Sequence, residues 1–435
     1  MKIRKIVFFL IIFLVLFFPL LAQDYNNTTI ISVSQNPQAI RKINKLNLDI
    51  LMIWQGRIYI ICNRQLDDLL KIKKANIAYQ IETQKFYPFS NKDANLQGSI
   101  NGPYHTYQEL ENDLMTLEER FPDLAKLYIL GQSLENRNIY ALKISDNVSL
   151  EEAEAEVLFI GCHHAREWIS VEVPYLLAKY LVENYSRQLT IKNLVDHSQI
   201  WIIPLLNPDG LEYSIHFYRY WRKNRRNNGD GSYGVDLNRN YSYNWGLDNE
   251  GSSPNSFSNV YRGKSPFSEP ETQAVRDFCL TRRFQALISY HNYSQVILYP
   301  WGYTSVPSPK NKLLEEMAAQ MSELIQAVNG RFYEYGQAGN SFYLTNGDTT
   351  DWALGVYHIP AFTIELPPVD VLHGGFFNSG EDIQSIFKEN LPAALYLIDW
   401  SMKNFSEQFS NSTGTKGEKN KQRKNLTIFV KRDKK

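Results

Sequence analysis

EVLFIGCHHAREW, residues 156–168, carries two signals in one stretch. Its first half, EVLFIGC (156–162), is a continuous apolar run of strand length, the pattern of a strand buried on both faces. Its second half, HHAREW (163–168), offers His164 and Glu167, a nitrogen and a carboxylate in the close pairing that zinc accepts. A strand that ends in such ligands puts them at the carboxyl edge of a sheet, where open α/β sheets bind what they act on. A catalytic zinc takes three protein groups and leaves a fourth position to water, so a distant third ligand is expected, and His291 is the candidate.

Outward from this stretch, QIWIIPLL (199–206), QALISYH (285–291) and AFTIEL (361–366) repeat the continuous apolar pattern, with amphipathic helical segments such as 170–184 and 270–282 between them. The alternation predicts an α/β fold on a mostly parallel sheet. His164, His291 and Glu365 each fall at or just after the end of an apolar run, so three separated stretches are expected to converge on one edge. Glu365 is out of character inside AFTIEL: a buried acid is costly unless it has work, and facing an activated water it would serve as general base and then acid.

The 46 basic and 46 acidic residues of the 435-residue chain balance, which gives no bulk attraction to nucleic acid or to a membrane surface. The first residues read as an address. Lys2, Arg4 and Lys5 precede the apolar run Ile6–Phe18, with Pro19 and a cleavage position after Ala22, the layout of a secretory signal peptide over 1–22. That run is short for a span of roughly 20 residues, so cleavage, a secreted, extracellular or periplasmic location and no stable membrane insertion are expected; the alternative is an uncleaved anchor.

Residues 23–100 read as a small α+β unit and linker. LDILMIW (48–54) and RIYIICN (57–63) suggest a hairpin, 38–46 and 65–75 helical segments, and the polar passage 90–103 a connection open to processing. The main domain is expected over 101–405 and a solvated basic tail over 406–435, in which TIFV (427–430) is strand-like. Cys62, Cys162 and Cys279 are too few for a disulfide scaffold, and Cys162 and Cys279 lie in apolar surroundings suited to buried free thiols.

Eight stretches in order strengthen this reading: GCHHAREW, NPDG (207–210), YWRKNRR (220–226), GVDLNRNY (234–241), SYHNYSQ (289–295), LYPWGY (298–303), GDTTDW (347–352) and FTIEL (362–366). Together they resemble the motif set of the zinc metallocarboxypeptidases of the carboxypeptidase A/B family, most of all its secreted bacterial carboxypeptidase T branch, and the resemblance covers 104–400. It implies an α/β/α sandwich on a mixed rather than wholly parallel sheet, preceded by a small α+β pro-domain. The pro-segment order of signal, small domain, linker and enzyme leaves a permanent accessory domain as the alternative.

The resemblance also implies roles. One catalytic zinc would lie on His164, Glu167 and His291, with Asp236 fixing a ligand imidazole and Glu365 acting on a zinc-activated water. His163 is left a structural part. Arg222 would stabilise the oxyanion, with Arg219, Arg225 and Arg226 as neighbours that only the motif match sets aside. Asn238 and Arg239 would hold the substrate's terminal carboxylate, Tyr343 would cap the substrate, and Arg166 and Tyr293 would contact it further back.

For the side-chain pocket, Asp351 keeps the family spacing before Glu365, which puts Thr350 where A-like enzymes carry an apolar residue and B-like enzymes an aspartate. Neither pattern is met. Asp348 on the pocket wall points instead to mixed specificity, apolar and aromatic residues accepted beside Lys and Arg, with acidic residues rejected. The run Glu151, Glu152, Glu154 and Glu156 resembles a calcium-associated loop, or is simply solvated. Sequons at Asn240 and Asn292 fall inside the expected site, where a glycan would obstruct substrate.

The sequence thus predicts an exported zinc carboxypeptidase, monomeric, that hydrolyses the C-terminal bond of peptides or proteins. Its rivals are a cell-wall peptidase acting on peptidoglycan stem peptides and a catalytically dead binding module.

Overall fold

The computed structural model describes residues 28–83, with breaks at 37, 40–41, 44–45, 47, 55 and 64–67, and residues 101–413 apart from 342, 371 and 372. The expected signal peptide, most of the linker and TIFV at 427–430 lie outside the described residues.

The N-terminal unit comprises β1 (Thr28–Ser34), β2 (Asp49–Trp54), β3 (Arg57–Asn63), α1 (Asp68–Lys74) and β4 (Gln80–Thr83), with the strands in order β2-β3-β1-β4 and every pair antiparallel. Successive side chains on a strand point to opposite faces. One face, with Ile31, Val33, Ile58 and Ile60, closes the unit's own core, while Ile30, Tyr59 and Ile61 on the other pack on Tyr220, Tyr293, Phe376 and Phe377 of the main domain. Strands apolar on both faces are therefore explained by a second partner.

The main domain runs α2 (Tyr107–Arg120), β5 (Ala125–Gln132), β6 (Asn138–Ile144), β7 (Ala155–Gly161), α3 (Ile169–Asn184), α4 (Leu189–Val195), β8 (Ser198–Ile203), α5 (Pro208–His216), α6 (Pro270–Leu280), β9 (Phe284–Asn292), β10 (Val296–Tyr299), α7 (Asn311–Asn329), β11 (Glu334–Gln337), α8 (Ala338–Ser341), α9 (Thr349–Tyr357), β12 (Ala361–Leu366) and α10 (Asp382–Thr413). The sheet order is β11-β10-β12-β9-β7-β8-β6-β5. Its centre, β12-β9-β7-β8, is parallel; β5, β6 and the β10–β12 pair are antiparallel, so the sheet is mixed. The central strands are the four continuous apolar runs, covered on one side by α3, α7 and α10 and on the other by α6 and α9.

The described residues of the main domain begin at Asn101, which is buried, and His105 is clamped between Glu172 at 2.7 Å and Asp113 at 3.2 Å. Burial alone would lower the His105 imidazole, but the two carboxylates outweigh it and raise it to about 9. At the other end α10 continues to Thr413, past the expected start of the tail at 406.

Parallel strands bring their carboxyl ends to one edge. β7 ends at Gly161, where any side chain would meet the Pro204 carbonyl at 2.6 Å, so only glycine lets the chain turn there toward His164. On the neighbouring rungs of β9 and β12, His291 pairs directly with Glu365.

Candidate active site

His164, Glu167 and His291 meet at the carboxyl ends of β7 and β9, all buried, with their donor atoms within 4.8 Å of one another. His164 Nδ1 is 2.8 Å from Glu167 Oε1, His291 Nδ1 is 3.0 Å from Glu167 Oε2, and the two Nδ1 atoms are 3.1 Å apart. The outer nitrogens are engaged elsewhere: His164 Nε2 lies 3.1 Å from Asp236 Oδ1 and His291 Nε2 lies 3.0 Å from Ser289 Oγ. With their protons on the outer nitrogens, both rings present bare Nδ1 atoms to a carboxylate, a set of electron pairs that repels itself unless a cation lies among them. Two imidazoles and one carboxylate suit zinc, and the donor set fits it.

Burial would raise Glu167, but His164 and His291 outweigh it and hold its carboxyl well below the usual range. Asp236 follows the same logic. Burial opposes its charge, yet Arg222 and His164 hold it ionised far below the usual carboxylate range. Its Oδ2 accepts from Arg222 Nε at 3.0 Å, so one carboxylate orients both a ligand ring and the expected oxyanion arginine.

Glu365 and Thr363 are the half-buried positions of β12 and face the same cleft as the metal ligands. Burial and the Glu167 carboxylate push the Glu365 carboxyl well above its ordinary range, while Arg222 and Arg239 pull it back.

The solvent-open cleft gathers every expected site residue: Arg166, Arg222, Asn238, Arg239, Tyr293, Tyr343, Asp348, Thr350 and Glu365 line it with the three ligands. Arg239 donates Nε to the Gly251 carbonyl at 2.9 Å and Nη1 to that of Asn238 at 2.7 Å, which leaves Nη2 buried with no hydrogen-bond partner among the described residues. The Tyr343 ring lies 5.9 Å from its guanidinium carbon. Arg166 stacks on Phe376 at 4.2 Å, and Tyr293 meets the same ring edge-on at 4.8 Å. The other arginines of the segment serve elsewhere: Arg219 reaches the Arg166 and Phe376 carbonyls, Arg225 stacks on Tyr213 and Arg226 pairs with Glu269.

Asp348 is buried on the pocket wall rather than turned to solvent. It is also the N-cap of α9: Oδ1 accepts from Asp351 N at 2.8 Å and Thr350 Oγ1 at 3.0 Å, and Oδ2 from Thr345 Oγ1 at 2.6 Å. Both oxygens thus have structural duties that sequence spacing alone did not reveal.

Sequence reasoning missed Ser289. Ser289 stands two positions before His291 on one strand face, a signal that period-2 reading could have used. The acidic run divides. Glu151 and Glu156 pair with Arg282, whereas Glu152 and Glu154 gather with Asp146, away from the cleft. Asn240 and Asn292, the sequon asparagines, are buried, which leaves no room for a glycan on either. All three cysteines are buried.

The sequence model of the zinc carboxypeptidase family matches residues 110–393. Carboxypeptidase B of Astacus astacus is 35% identical over 270 residues, 60% of this chain and 86% of that protein. Zinc carboxypeptidase A 1 of Anopheles gambiae is 32% identical over 302 residues, 68% of each. Among solved structures, thrombin activatable fibrinolysis inhibitor superposes with a TM-score of 0.73 at 25% identity, covering 87% of this chain and all (100%) of that one. Carboxypeptidase A from Helicoverpa armigera, at 24% identity, shares the fold with a TM-score of 0.77 over 87% of this chain and 98% of its own.

Proposed function

The chain belongs to the zinc carboxypeptidase family and is a metallocarboxypeptidase, and on that premise we propose how it works and what it removes. It takes a free peptide C-terminus, hydrolyses the last bond and releases apolar, aromatic or basic residues outside the cell. The observation that carries the reading is Arg239 in the cleft floor, its Nη2 buried and without a partner among the described residues. A buried guanidinium N–H left open beside Asn238 is what a terminal carboxylate would satisfy, and an internal peptide bond offers no such anion.

Held by His164, Glu167 and His291, zinc supplies the acidification of water and the polarisation of the scissile carbonyl. The protein's own groups do the rest. Glu365 takes the proton of the attacking water on a carboxylate oxygen and returns it to the leaving nitrogen as the C–N bond breaks. Arg222, fixed on Asp236, meets the negative charge that develops on the carbonyl oxygen. Tyr343 closes over the carboxylate site, and Arg166 and Tyr293 contact the peptide upstream.

The side-chain pocket supports mixed specificity: Leu298, Ala338, Thr345, Thr350 and Thr363 make a mostly small wall, with Asp348 as its acid. The N-terminal unit acts as an inhibitory pro-segment in this reading. Ile50 lines the cleft, and Ile30, Tyr59 and Ile61 cover Tyr293 and Phe376 at its outer end.

One assay series tests the whole. Intact and linker-cleaved protein are given blocked dipeptides ending in Leu, Phe, Arg or Asp. Cleavage should raise kcat/KM for the first three and leave Asp unprocessed, and Glu365→Gln in the cleaved protein should lower turnover roughly a hundred- to ten-thousandfold with zinc retained. Equal rates before and after cleavage would make the unit an accessory domain. Activity on peptidoglycan stem peptides but not on the dipeptides would favour the cell-wall alternative.

A further inference from the structure

His163 lies beside the metal ligands without facing them, fully buried, and its ring is hydrogen-bonded among the described residues only to hydroxyls. Its contacts form one continuous path. Thr349 N and Oγ1 lie 3.0 and 2.8 Å from Asn238 Oδ1, and Thr349 Oγ1 lies 2.8 Å from His163 Nε2. On the other side of the ring, His163 Nδ1 is 3.2 Å from Ser289 Oγ, which is 3.0 Å from His291 Nε2. The Tyr241 hydroxyl, 2.9 Å from His163 Nε2, braces the same nitrogen.

The direction of every bond in this path follows from one fixed donor. The Thr349 backbone N–H can only donate, so the Asn238 atom it meets is the amide oxygen, and the Thr349 hydroxyl must donate there as well. A hydroxyl has a single proton. Thr349 Oγ1 therefore accepts from His163 Nε2–H; a buried imidazole with no carboxylate partner is neutral, so His163 Nδ1 accepts from Ser289 and Ser289 accepts from His291 Nε2–H. The chain ends with the His291 proton on Nε2 and Nδ1 bare toward the metal position. At its other end the Asn238 NH2 group is turned away from Thr349, and Asn238 lines the cleft.

We propose that His163 and Thr349 are positioning residues that tie the ligand-competent tautomer of His291 to the donor orientation of Asn238. The inference rests on the carboxylate-binding role proposed for Asn238 and deepens it. The metal site and the substrate-anchoring site are then two ends of one hydrogen-bonded chain rather than independent constructions.

The test uses the zinc-loaded, linker-cleaved enzyme, with the inhibition constant of the product amino acid and zinc affinity by chelator competition as readouts. Thr349→Val should raise the product inhibition constant on the order of three- to tenfold, the range for one lost hydrogen bond, and Thr349→Ser should restore it. His163→Leu should raise it similarly and also weaken zinc, because His291 loses its fixed tautomer. The double variant should lose no more product affinity than either single one, the mark of residues that act as a unit. Additive losses, or an unchanged inhibition constant in Thr349→Val, would overturn the proposal; if His163→Leu does not fold, the Val and Ser variants at 349 decide. An unchanged constant in Asn238→Ala would instead overturn the carboxylate reading beneath it.

Discussion

Two groups of donors among the described residues lie close enough to hold a cation, and they differ in almost everything else. His164, Glu167 and His291 are buried and mix two nitrogens with one carboxylate. Each imidazole is oriented from behind, by Asp236 on one side and Ser289 on the other. Asp146, Glu152 and Glu154 are half-buried and all acidic, and one oxygen of each is without a hydrogen-bond partner among the described residues. Burial and the neighbouring Glu152 and Asp146 raise the Glu154 carboxyl to about 7, so this group answers its own repulsion partly by holding a proton. Proximity of donors is common to both; outside support that fixes where each lone pair points belongs only to the first.

The contrast can be broken at three places. The largest effect is expected at the oriented cluster itself: His291→Ala should strip zinc and activity from the folded enzyme, while Glu152→Gln leaves both intact. Zinc content measured on both variants decides, and zinc retained without His291 would show that the first cluster is not the metal site. Next comes the support. Asp236→Asn keeps size but cannot hold Arg222 and His164 as an anion does, and zinc affinity should fall about ten- to hundredfold. Unaltered affinity would mean that orientation from behind is not what separates the clusters.

The smallest effect belongs to the acidic group. Because the folded state raises the Glu154 carboxyl above its usual 4.5, the stability it contributes is intact below that value and is lost as pH rises through about 7. Glu154→Gln should therefore melt alike at pH 4 and about one to two degrees higher at pH 8, a difference below about 1 kcal/mol for so solvated a group. Calcium that raised the melting temperature of the parent but not of the variant would blur the contrast by giving the second cluster an ion of its own.

Much of this architecture was legible because burial writes itself into composition. The four central strands are continuous apolar runs and their ends carry the ligands, so the convergence of His164, His291 and Glu365 could be read before any coordinates. The antiparallel edges were less visible. β5 has mostly half-exposed positions, and β10 and β11 are four residues each, too short for a period to declare itself. Composition misled at the C-terminus: the Ser- and Asn-rich residues that close α10 have modest helix propensity and read as a tail, although the helix extends through Thr413. The chain through His163 was illegible for another reason. Ser289, Thr349 and Asn238 are brought to it by three separate elements, and hydrogen-bond polarity appears only once they are in place.

The pairing of Glu365 with His291 on adjacent parallel strands has a consequence for how such a protein can change over generations. The group proposed to handle the proton and a residue of the candidate metal cluster are separated by the spacing between strands, about 4.8 Å, a distance that backbone hydrogen bonding sets and no loop adjusts. The pocket wall, by contrast, comes largely from the chain that leaves β9 and returns at β12, which carries Leu298, Ala338, Thr345, Asp348 and Thr350. Insertions, deletions and substitutions there can alter which residue is removed while the atoms that remove it stay in register, so preference is free to drift across lineages on a conserved reaction.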